Sequence, residues 1–138
     1  MKNKELLLVI ILLSALPVLL AANAEEYWGT WVNRDYNADD AKVAVLILKP
    51  DGSFAQYNRK SDPAPFSTGT IAIKDKWTDS KGSIWYKVTF SLDHLAVTND
   101  HIMKLSDSGI TLEFLRHTSE IPAEMDPSNF NYRIMHRK

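Results

Sequence analysis

From residue 27 onward, apolar and polar positions alternate in short runs rich in Val, Ile, Tyr, Phe and Thr. Gly, Asp, Asn and Pro interrupt the runs, and no helical period is sustained along this stretch. The pattern predicts strands over 27–34, 41–49, 53–59, 67–76, 83–92, 95–98, 101–106, 110–117 and 130–137, the shorter of which can merge. Short strands at this spacing imply an antiparallel sandwich or barrel rather than an α/β plan. The stretch 118–129 carries two prolines and no alternation, which predicts a long connection with one helical turn around residues 123–125.

The same alternation bears on how hairpins close. In "LKPDGSF", Pro50 presets the first turn position and Gly52 takes the left-handed one, so Leu48 faces Phe54. In "KWTDSKGSIWYKVTF" two registers compete. A three-residue loop over 80–82 sets Trp77 opposite Trp85 but Ile73 against Thr89. A four-residue loop over 79–82 pairs Trp77 with Ile84, Asp75 with Tyr86, Ile73 with Val88 and Ile71 with Phe90. A one-residue slip moves every side chain to the other face. The four-residue loop gathers the apolar residues on one face and is the register expected, with Trp85 on the other face beside Lys76, Lys87 and Thr89. By the same logic "KLSDSGITLEF" closes over 106–109, pairing Leu105 with Ile110, Met103 with Leu112 and His101 with Phe114.

The first residues break from this pattern. Lys2 and Lys4 precede an apolar run from Leu6 to Leu20, and Ala22-Asn23-Ala24 has the small-x-small form of a cleavage site. Residues 1–24 therefore read as a signal peptide. The run is shorter than the ~20 residues of a spanning helix, so the cleaved protein is not expected to span a membrane. Cleavage leaves 114 residues, a single domain over 25–138. That domain carries 14 basic and 16 acidic residues, a balance that argues against a nucleic-acid partner. With no cysteine, it has neither disulfides nor a lipid-modified Cys anchor. The expected location is secreted or periplasmic, in a bacterium.

Gly29-Thr30-Trp31, just after this leader and followed by a string of strands, resembles the Gly-x-Trp signature of the calycin group, the lipocalins and their small bacterial lipocalin-like relatives. "PDGSF" and "KLSDSGITLEF" add to the likeness. The resemblance implies an up-and-down antiparallel β-barrel of about eight strands. It also implies that Trp31 plugs one end, under Arg133 or, failing that, Arg137 of the last strand. Gly29 would give the close approach such a plug needs, since glycine adds no side chain. The likeness does not extend to a long helix before the last strand or to the usual length, and a wide cup is not implied.

The remaining chemistry is sparse. His94, His101, His117 and His136 lack metal-ligand spacing, and no metal or other cofactor is expected. There is no cysteine nucleophile, no Gly-x-Ser-x-Gly elbow and no phosphate-cradling loop, and the serines fall mostly in turns, so the chain does not read as an enzyme. "NADDA", residues 37–41, connects the first two strands and is placed to overhang the open end as a lid. Tyr57 and Trp85 lie on faces shared with polar residues, and Tyr86, Phe90 and Phe114 lie on the apolar face. These five are the candidate ligand-binding residues. The function expected is non-covalent binding of a small apolar or amphipathic molecule. The alternative is a ligandless envelope module that offers an aromatic face or a strand edge to a protein partner.

Overall fold

Alternation becomes sheet between turns and longer connections in the described chain, residues 26–138 of a computed structural model. The signal peptide expected over 1–24 lies outside the described residues. Eight strands follow one another: β1 (Gly29–Val32), β2 (Val45–Leu48), β3 (Ser53–Tyr57), β4 (Ser67–Thr78), β5 (Ile84–Leu92), β6 (Thr98–Ser106), β7 (Thr111–Arg116) and β8 (Tyr132–Arg137). Each pairs antiparallel with its sequence neighbours, and β8 returns to β1. The protein is all-β, a closed up-and-down barrel of eight strands. The segment expected at 101–106 forms β6, whereas of the one expected at 95–98 only Thr98 joins it and residues 95–97 belong to the β5–β6 link.

Inward-facing residues fill the interior. Leu46, Leu48, Phe54, Tyr86, Val88, Phe90, Met103, Leu105, Leu112 and Phe114 form one buried cluster with Tyr27 and Trp31. A second, smaller cluster lies around Val32, Val43 and Val45, where Tyr36, Ala38 and Tyr57 pack.

The Pro50-Asp51-Gly52 hairpin closes as expected. Leu48 faces Phe54, the Lys49 N–H donates to the Ser53 carbonyl at 3.0 Å, and Gly52 sits at φ 83°. The β4–β5 hairpin corrects the expected register in part. Ile71 faces Phe90 and Ile73 faces Val88, but nearer the turn Asp75 faces Lys87 and Trp77 faces Trp85. A β-bulge between Ile73 and Asp75 joins the two registers, so each candidate holds on one side of it. The turn is the three-residue one, with the Asp79 N–H bonded to the Ser83 carbonyl and Gly82 at φ 84°. Trp77 consequently leaves the inner face and stacks on Trp85, ring centres 5.9 Å apart.

The β6–β7 hairpin also differs from expectation, by two residues. Leu105 faces Leu112, Met103 faces Phe114 and His101 faces Arg116. A slip of two leaves every side chain on its own face, so the apolar pattern does not forbid it. The turn chemistry decides. Asp107 and Ser108 adopt left-handed backbone, and the Thr111 hydroxyl donates to the Asp107 carboxylate at 2.8 Å. The 118–129 connection forms bends and turns, not the helical turn expected. Pro127 disfavours helical backbone at Asp126, whose carboxylate instead accepts the Ser128 N–H at 2.9 Å.

The barrel is lopsided along its axis. One end carries the three tight turns, β2–β3, β4–β5 and β6–β7, together with the start of β1 and the finish of β8. The other end carries the longer connections 33–44, 58–66 and 117–131 and the β5–β6 link at 93–97. The first end is closed by side chains, and the second is open.

Candidate functional site

The floor of the barrel is built around Trp31. Its ring is fully buried, and its Nε1–H donates to the Tyr27 carbonyl at 2.8 Å. Tyr27 meets Tyr86 edge-on, ring centres 5.0 Å apart. The cation over Trp31 is Arg137, 4.4 Å from the ring centre, not Arg133. The β1–β8 register places Trp31 directly opposite Arg137, whereas Arg133 lies opposite Phe114. Arg137 then donates to the carbonyls of Gly109, Trp28 and Glu26, each at 2.7 Å, and ties three segments together across the closed end. Gly29 makes this geometry accessible: a Cβ there would fall 2.5 Å from Arg137 Nη1, and its φ is 143°.

Above this floor a cavity of about 380 Å³ opens between the long connections. Its apolar wall includes Leu46, Phe54, Phe90, Leu92, Phe114 and Met135. Phe66, from the 58–66 connection, lines it as well and stays largely exposed at the mouth. The polar lining comprises Asn33, Gln56, Ser67, Asn99, His101, Arg116, His117 and Arg133, without a single carboxylate. Two buried polar atoms of this wall, Ser67 Oγ and Arg116 Nε, have no hydrogen-bond partner. Burial, and secondarily the charge of Arg133, hold the Arg116 guanidinium below its ordinary pKa. Arg133 is anchored at the rim, its Nη1 donating to the Phe130 and Tyr132 carbonyls at 3.0 and 2.6 Å.

Of the five candidate ligand residues, Phe90 and Phe114 line the cavity. Tyr86 is fully buried in the core below, against Tyr27. Tyr57 packs into the cluster around Val32 and Val45. Trp85 faces outward but is only 4% exposed, sandwiched between Trp77 and the Lys104 ammonium, with its Nε1–H on the Asp79 carboxylate at 2.9 Å. The expected neighbour Lys76 lies over Tyr86 instead. Nor does "NADDA" cover the mouth. Ala38 packs beside Tyr36 in the small cluster, Lys60 Nζ donates to the Tyr36 and Ala38 carbonyls at 2.5 and 3.2 Å, and the Ser61 hydroxyl bonds Asp40. Only the roots of that connection, Asn33 and Ala44, reach the cavity.

Phe54, Ser67, His101, Arg116 and Arg133 line the cavity and are not among the five candidates. A signal existed for His101 and Arg116. Alternation puts His101 on the face of Met103 and Leu105, and Arg116 on that of Leu112 and Phe114. His101 is held neutral: burial, then the charges of His117 and Arg116, lower its pKa to about 4, with Asp100 opposing. Its Nδ1 accepts the His117 N–H at 3.0 Å, and its ring meets Phe90 edge-on at 4.8 Å. The unfolded chain protonates this histidine near 6.5 and the folded one only near 4. Stability is therefore intact above pH 6.5 and lost as pH falls from there to about 4, by up to ~3 kcal/mol. Urea unfolding across this range should show that slope in the parent and lose it in His101→Gln. An unchanged slope in the variant assigns the effect elsewhere.

Among the described residues no group of three or more potential metal ligands converges, and no helix is long and apolar enough to cross a membrane. The chain matches no protein-family model, no curated protein and no solved structure, so the chemistry of the cup itself is the ground for a functional reading.

Proposed function

We propose that this protein is a lipocalin-like binder that holds a small apolar or amphipathic molecule reversibly in the open cup. The observation that carries this reading is the cavity itself, about 380 Å³ with four phenylalanines in its lining, set above a side-chain floor that is already closed. Its size falls in the ~300–1,000 Å³ range of small-molecule sites, which are mostly apolar with a few convergent polar groups. Binding is non-catalytic in this reading: His101 is spent on a backbone N–H and Ser67 Oγ has no hydrogen-bonded base beside it. The leader over 1–24 would deliver the binder outside the cytoplasm. The ligandless alternative has less to stand on, because Trp85 is buried and the closed barrel leaves no free strand edge among the described residues.

The test is native mass spectrometry of protein purified from its own host, with titration of 1-anilinonaphthalene-8-sulfonate as a reporter. A co-purifying small molecule, or saturable one-to-one binding of the dye, is expected. Phe66→Ser should weaken dye binding several-fold without shifting the thermal midpoint, since Phe66 lines the mouth yet is 65% exposed. A clean apo mass together with no saturable binding would remove the cup from consideration.

A further inference from the structure

Two guanidinium groups in one small cavity, with no carboxylate in its lining, are an unusual arrangement. Arg116 and Arg133 sit on adjacent strands and project to the same side, because Arg133 faces Phe114 and Arg116 follows two residues later on the inner face. Like charges this close repel, and nothing on the wall offsets them. The one ion pair among the described residues is Arg59 with Asp62, on the 58–66 connection. Arg116 Nε is buried without an acceptor, and Ser67 Oγ, on a residue 8% exposed in the same wall, also lacks a partner. Buried polar atoms are ordinarily paired, and each one left unpaired costs ~1–3 kcal/mol. Two donors left open in one cavity, beside a second guanidinium, are a site awaiting an acceptor that carries negative charge.

The apolar part of the cup fixes the rest of the ligand. Phe54, Phe90 and Phe114 lie on the inner face, whereas Arg133 is exposed at the rim. From these observations we infer that the cup takes a single-chain anionic amphiphile, its tail among the three phenylalanines and its head group at the mouth on Arg116, Arg133 and Ser67. A volume near the lower end of the small-molecule range suits one tail rather than two. A guanidinium is built for this head group, because its planar fork meets carboxylate or phosphate oxygens two at a time. Neutral His101 contributes a polar but uncharged edge beside Phe90.

This inference rests on the cup being a ligand site, and the experiment separates the two. Isothermal titration of the purified protein at pH 7 would compare decanoate, decyl phosphate, decanol and decylammonium. The anions should bind about tenfold or more tightly than decanol, with decylammonium weakest, and the better of the two anions names the head group. Arg116→Gln should reduce anion affinity about 10- to 100-fold and leave decanol within about twofold. Should that variant fail to fold, Arg133→Gln at the exposed rim carries the same comparison, with a several-fold loss expected. Decanol binding as tightly as decanoate, or anion affinity unmoved by these substitutions, overturns the head-group inference and leaves the cup standing. Failure of all four compounds to bind overturns both.

Discussion

Trp31→Ala should destabilise the protein by about 3–5 kcal/mol, the cost of emptying a large aromatic site in a packed core. The ring has no solvent exposure, so the full transfer and cavity terms apply. Two further losses are built in. The Tyr27 carbonyl loses its indole donor, and Arg137 loses the aromatic face beneath it. Domains of this size hold ~5–15 kcal/mol in total, so a loss of this size unfolds a large fraction of the weaker ones. Equilibrium urea unfolding monitored by circular dichroism gives the number, and Trp31→Phe, which keeps most of the volume, should lose clearly less. A loss below ~1 kcal/mol for Trp31→Ala would show that the floor closes without it.

The second large effect should come from Gly69 on β4. A Cβ built there would stand 1.9 Å from the Ser91 carbonyl oxygen and 2.8 Å from Phe54 Cε1. The nearer obstacle is backbone of the paired strand and has no rotamer into which to retreat. Overpacking of this kind costs ~1–3 kcal/mol and more where the backbone must move, so Gly69→Ala is expected at or above ~3 kcal/mol. Gly82→Asn is the contrast. Nothing lies within 4 Å of a Cβ at Gly82, and asparagine tolerates its left-handed backbone, so the change should stay within ~1 kcal/mol. Equal losses at the two glycines would mean that the crowding at Gly69 relaxes.

These residues also show what a sequence can and cannot convey about such a barrel. Alternation assigns faces, and it did so for Tyr86, Val88, Phe90, Met103, Leu112 and Phe114, all of which point inward. It is blind to slips of two, which is why Leu105 faces Leu112 where Ile110 was expected. It is equally blind to a bulge, which let Trp77 belong to the apolar run and still turn outward to Trp85. Arg133 and Arg137 share parity, four residues apart, so periodicity treats them alike; only the β1–β8 register separates the latch over Trp31 from the cation at the mouth. The cup was half legible for a related reason. Phe90 and Phe114 announce themselves as apolar, but Ser67, Arg116 and Arg133 acquire their meaning from the strands that bring them to one opening.

The seam where the cylinder closes governs how the molecule folds. Its two partners are the first strand of the barrel and the last, and Trp31 meets Arg137 across it. Until β8 docks, the seven earlier strands form only an open sheet, with β1 and β7 both presenting unpaired backbone. Pairings between residues so distant along the chain form late, since loop closure must be met before any contact repays it. The folding chain therefore passes through a stage with two sticky edges and an uncovered apolar face, when association with other chains competes with self-closure. Deleting β8 alone would prolong that stage indefinitely, although every residue of the apolar core except its own would still be present.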